Sequence, residues 1–137
     1  MIRMIAASLV LLALTAAQDV PQQPAIDGRW VNPGESVIID IGPCGEARCG
    51  TVKWASEEAI ADARKGTANL VGSDLLTGLQ ETKPGLWQGK LFVPDRKLRV
   101  KAKITLVGEQ QLKVAGCAVG ICKSQLWNRS DQPLPGL

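Results

Sequence analysis

The segment Leu98 to Val107, LRVKAKITLV, alternates apolar and polar residues with hardly a break. Leu98, Val100, Ala102, Ile104 and Leu106 fall on one face, and Arg99, Lys101, Lys103 and Thr105 on the other. Successive side chains of a strand point to opposite faces, so this pattern specifies a strand with one side in a core. The device recurs along the chain. ESVIIDIG puts Val37, Ile39 and Ile41 on one face, and TVKWA does the same with Val52 and Trp54. Further strands are read at GRWVN (Gly28 to Asn32), LLTGLQE (Leu75 to Glu81), LWQGKLFV (Leu86 to Val93), LKVAGCAV (Leu112 to Val119) and ICKSQLWNR (Ile121 to Arg129). Turn residues separate them: Pro33-Gly34, GPCGEARCG, TKPG, PDRK, GEQQ and Gly120.

One stretch departs from the pattern. In SEEAIADARKG, Ser56 suits a helix cap, Glu57 and Glu58 a first turn, and Gly66 a stop. Ile60 alone gives a thin apolar face, which suits a short helix lying across a barrel mouth or on the surface. The expectation is therefore an all-β fold of eight antiparallel strands, with one short helix between strands three and four. Eight strands close into a small barrel whose interior is packed with side chains or holds one small ligand. A two-sheet sandwich is the competing arrangement.

The ends bear on compartment. Residues 1–17, MIRMIAASLVLLALTAA, carry Arg3, a short apolar run from Ile5 to Leu14, and the small residues Thr15-Ala16-Ala17. This is the layout of a secretory signal peptide; the alternative, an uncleaved membrane anchor, is disfavoured because the run is too short to span a bilayer. Residues 18–25 then form a polar leader, 26–130 the folded domain, and 131–137 a Pro-rich tail. Export to the periplasm of a Gram-negative bacterium is expected, with no membrane insertion once the signal is removed.

In an oxidising compartment paired cysteines become disulfides. Both pairs share C-x4-C spacing, Cys44 with Cys49 and Cys117 with Cys122. Zinc sites favour C-x2-C with histidine, and dithiol redox motifs C-x-x-C at a helix start, so staples are the reading the spacing favours. Each six-residue loop is worth about 2 kcal/mol in the chain-entropy model. In an up-and-down barrel the two hairpins fall at opposite ends, which favours local over crossed pairing.

The chain has no histidine and no tyrosine. That removes the usual general base, the commonest metal ligand and most nucleophile triads. Its acidic residues fall in turns, in the helix or on outward positions, and no spacing forces two of them into a cleft. Neither an enzyme nor a cofactor protein is expected. The full-chain charge of +3 gives no reason to expect nucleic-acid binding. The basic run Arg96, Lys97, Arg99, Lys101 and Lys103 suits either anionic lipid headgroups or the solvated face of an amphipathic strand. The inward set Ile39, Val52, Trp54, Leu98, Val100, Ala102, Ile104, Leu112 and Val114 either lines a cavity for a small apolar or amphipathic ligand or fills the barrel. Gly78, Gly89 and Ala102 are candidates for leaving space there. In the packed case the protein is a structural or interaction module of the envelope, with a protein partner the sequence does not name.

Several of these segments together resemble the exported bacterial family DUF2147. They are Gly28-Arg29-Trp30, CGEARCG, Leu76-Thr77-Gly78-Leu79, WQGKLFVPD, LKVAGC and LWNR, in order over most of the chain after residue 17. KGTANLVGSDLLTG lacks the Asn-Pro-Asp common in that family's middle. The resemblance implies a lipocalin-like barrel and an envelope location, and brings no activity or catalytic residues. Gly-x-Trp on the first strand with an arginine on the last is also similar to the lipocalin arrangement. That similarity implies that Arg129 lies over Trp30 and closes the barrel base.

Overall fold

The structure is a computed structural model and describes residues 10–13 and 25–135. Most of the expected signal peptide and most of the leader lie outside the described residues. Eight strands follow one another: β1 (Gly28–Val31), β2 (Val37–Cys44), β3 (Ala47–Ala55), β4 (Asp74–Lys83), β5 (Leu86–Val93), β6 (Leu98–Leu106), β7 (Gln111–Ala118) and β8 (Ile121–Arg129). Each pairs antiparallel with its neighbour, and β8 returns to β1, so the sheet closes into a barrel rather than a sandwich. The closing seam is short. Trp30 lies opposite Arg129 and Val31 opposite Asn128, and the Ser130 amide donates to the Arg29 carbonyl at 3.0 Å beyond them.

The strand edges follow local chemistry. The Asn32 side-chain oxygen accepts from the amides of Ser36 and Val37 at 2.8 and 2.9 Å, which fixes the β1–β2 turn. β2 and β3 run further into GPCGEARCG than the expected turn, leaving Gly45-Glu46 between them. The single helix, α1 (Glu57–Ala63), sits between β3 and β4 as expected, and the Ser56 hydroxyl accepts from the Ala59 amide at its start. Ala59, Ile60 and Ala63 pack on the core from the end of the barrel that also carries the β1–β2 turn. A short 3-10 turn, Pro94–Arg96, joins β5 to β6 beside it.

The core is continuous and apolar. Trp30, Ile39, Ile41, Val52, Leu76, Leu79, Ile104 and Leu112 are all essentially solvent-free. Each such side chain contributes roughly 1.5–3 kcal/mol of burial. No polar or charged residue is fully buried among the described residues.

Candidate functional site

The two ends of the barrel are built differently. At one end β1 begins and β8 finishes. The Trp30 indole nitrogen donates to the Ile26 carbonyl at 2.9 Å, and the Arg129 guanidinium lies over the Trp30 ring, 4.2 Å from its centroid. Arg129 then spends its donors on three carbonyls: Nε on Glu109, Nη1 on Asp27 and Nη2 on Ala25, at 2.9, 2.9 and 2.7 Å. A cation over an aromatic face adds about 1–2 kcal/mol when desolvated. Gly28, at φ +121°, sits where a Cβ would come within 2.8 Å of Arg129 Nη1, so any side chain there would displace the arginine. Beside this cluster Arg48 Nε lies 3.3 Å from Asp27 Oδ1, an ion pair whose alignment falls short of a hydrogen bond. Burial raises the Asp27 carboxyl above its ordinary value, Arg48 lowers it in part, and Asp40 raises it further. This end is shut.

The other end opens. Between β5, β6, β7 and β8 the barrel holds an apolar chamber of about 480 Å3. That volume lies within the range of small-molecule sites. Its walls include Leu91, Val100, Val114, Gly116, Ala118 and Trp127, with Leu98 and Ile121 partly exposed at the mouth. The space exists because β7 presents Gly116 and Ala118 inward, in register with Lys123 and Ile121 of β8. Polar groups are few and stand toward the rim. Arg96 comes from the 3-10 turn, Lys123 and Gln125 from β8. Gln125 and Pro94 also border a second, polar hollow of about 810 Å3 beside α1, into which Glu58 and Asp62 project. An apolar pouch with two cations at its lip can hold a hydrocarbon group and leave a negatively charged end at the opening.

The nine residues expected to line a cavity divide three ways. Leu98, Val100 and Val114 border the chamber. Ile39, Val52, Ala102, Ile104 and Leu112 face inward but are packed solid, toward the closed end or the middle of the barrel. Trp54 is a correction. Ile38 pairs with Trp54 and the next residue, Ile39, with Val52, so Lys53 is an extra residue on β3. That bulge reverses the alternation beyond it. Val52 and Ala55 face the core, while Trp54 covers Ile38 on the outer face. Gly89 likewise leaves no room, because the β4 backbone at Thr77 and Gly78 fills the place of its side chain.

The walls that the expectation missed had a signal. On β8 the inward positions are Ile121, Lys123, Gln125 and Trp127, so polar residues interrupt the inward face near one end only. Two polar residues pointing into a barrel mark a wet mouth.

Both disulfides are present, Cys44–Cys49 at the closed end and Cys117–Cys122 at the open end. Cys117 and Cys122 are direct cross-strand partners, whereas Cys44 pairs with Ala47 and Cys49 with Gly42, so the first bridge runs diagonally. All four lie on faces turned away from the barrel interior, so they brace hairpins and do not enter the chamber.

The solved structures include a barrel of the same shape. A Helicobacter pylori protein, HP1028, described as belonging to the lipocalin family, matches with a TM-score of 0.56 and 10% identity over 77% of this chain and 83% of that one. At that identity the likeness is one of fold. No curated protein sequence matches the chain. The family model described as "Uncharacterized protein conserved in bacteria (DUF2147)" matches residues 28–129, from the first residue of β1 to the last of β8. The eight-stranded lipocalin-like chain with its sealed base and open mouth thus belongs to the bacterial DUF2147 family.

Proposed function

We propose that the protein is an exported, non-catalytic binding module that holds one small amphipathic molecule, with its apolar part in the chamber between β5 and β8. The observation that carries this reading is the chamber itself, about 480 Å3 and walled mainly by apolar side chains next to a continuous apolar core. Leaving such walls unfilled forfeits dispersion contacts that a hydrocarbon group would restore. Arg96 and Lys123 at the lip favour a ligand whose polar end is anionic. Along β7 the inward residues from Val114 to Ala118 span roughly 13 Å, at about 3.3 Å per residue. That depth suits an acyl chain of medium length rather than a long one. Export to the periplasm is part of the proposal, supported by the signal-like residues 1–17 and by two disulfides that leave no free cysteine.

Native mass spectrometry of protein recovered from a periplasmic extract tests the reading. A native mass a few hundred daltons above the chain mass, lost on denaturation, is the expected result. A bare native mass that stays bare after incubation with decanoate and dodecanoate would overturn it.

A further inference from the structure

We propose that the β7–β8 hairpin, together with the cationic outer face of β5 and β6, docks the protein onto an anionic phospholipid surface. The hairpin turn is Val119-Gly120, with φ +52° and +75°. Two positive φ values make a type I′ turn, for which Asn-Gly is the favoured pair. A β-branched residue is a genuine outlier there. Val119 is also completely exposed, at 100%. Neither packing nor turn geometry accounts for a valine at this tip, and strain of this kind is retained where a function uses it. The Cys117–Cys122 bridge directly behind holds the tip in place.

The second observation is independent of the first. Lys90 and Lys101 are direct cross-strand partners, with Arg99 and Lys103 on the same outward face of β6. Like charges set opposite one another destabilise a sheet. None of the four has an acidic partner, since the ion pair found among the described residues is Arg48 with Asp27. These cations and Val119 share one concave surface on the outside of the barrel, enclosing about 840 Å3. The acids at this end of the molecule, Glu35 of the β1–β2 turn, Glu57, Glu58 and Asp62 of α1, and Asp95 of the 3-10 turn, do not border that surface.

A cationic shelf without acidic partners, its Arg99 stacked over Phe92 at 5.0 Å, and with an apolar tip at its edge matches a layer of anionic headgroups over hydrocarbon. The phosphates neutralise the lysines, and the valine reaches the acyl boundary. Docked in this way, the exposed mouth residues Leu98 and Ile121 lie near the lipid. The docking does not depend on what the chamber holds.

The test is flotation of the oxidised protein, purified without residues 1–17, with vesicles of phosphatidylethanolamine and phosphatidylglycerol and with vesicles of phosphatidylcholine alone. The expected result is binding to the first and not the second, weakening as salt rises. Val119→Asn relieves the turn, and Lys90→Gln with Lys101→Gln relieves the repulsion, so both variants should melt higher than the parent. Both should nevertheless bind less, about fivefold for each charge removed and severalfold for the valine. Equal binding to both vesicle types would overturn the proposal, as would no binding to either. Unchanged binding by Val119→Asn would also overturn it, because a surface that needs charge alone would serve any polyanion, including duplex DNA.

Discussion

The closed and open ends of this barrel are made from the same strands by different choices of inward residue. Toward the closed end the inward positions of β1, β4, β6 and β7 are Trp30, Leu79, Ile104 and Leu112, all with 0% exposure. Toward the open end the inward positions of β6, β7 and β8 are Leu98, Val100, Gly116, Ala118, Lys123 and Gln125. Strand geometry is the same in both halves, so the difference lies in side-chain volume and polarity alone. A small barrel can be solid at one end and hollow at the other without any change in topology. The sealed half supplies the stability that lets the other half go unfilled.

Breaking the seal should have the largest effect. Trp30→Ala removes a fully buried indole, its bond to Ile26 and the platform under Arg129, and should cost about 3–5 kcal/mol in urea unfolding. Set against a typical domain stability of roughly 5–15 kcal/mol, that loss brings the chain close to unfolding at 37 °C. A matched pair of truncations sharpens the contrast. Leu112→Ala near the base should cost about 2–5 kcal/mol. Val100→Ala, on the chamber wall, should cost less than about 1 kcal/mol, because its side chain is already only partly packed. Equal losses at the two sites would erase the distinction between the halves.

Filling the hollow is the complementary change. At Gly116 an added Cβ would lie 3.1 Å from Leu91 Cδ2 and from Val100 Cγ2, both ends of side chains that border open space. Gly116→Val should therefore shift urea stability by no more than about 1 kcal/mol. It should also weaken binding of a fluorescent anionic amphiphile, anilinonaphthalene sulfonate, at least tenfold. Unaltered binding would place the amphiphile elsewhere.

The smallest expected effect concerns pH and the closed end. Burial gives folded Asp27 a carboxyl pKa above its unfolded value of 3.8, so the folded state holds that proton more firmly. The contribution is therefore favourable below 3.8 and is lost as pH rises through the raised folded value. Asp27→Asn should flatten that limb of the stability curve in chemical denaturation. A limb that steepens in the variant would mean that the ion pair with Arg48 outweighs desolvation.

Much of this fold was legible because strand alternation and turn residues are local. Eight strands, the helix between β3 and β4, and both cysteine pairs follow from patterns a few residues long. The Trp30 and Arg129 juxtaposition was accessible only through family resemblance, since nothing in their 99-residue separation brings them together. What stayed hidden depended on register. The extra Lys53 turned Trp54 outward, and a bulge leaves no mark on composition. The position of the hollow was hidden for a related reason. Alternation identifies which residues face inward but not how deep each lies, so Ile104 and Val100 look equivalent in the sequence. Gly116, Ala118 and the inward pair Lys123 and Gln125 carried the depth information. Two polar residues on an inward face need solvent contact, and that was the clue to it.

The most direct test of a barrel with one solid and one hollow end is residue-by-residue NMR shift mapping during titration of the oxidised protein, purified without residues 1–17, with dodecanoate. Saturable shifts should centre on Val100, Val114, Gly116, Ala118 and Trp127, while Trp30, Ile104 and Leu112 stay in place. Shifts centred on the Trp30 and Arg129 end, or no saturable shift at any concentration below micelle formation, would contradict it.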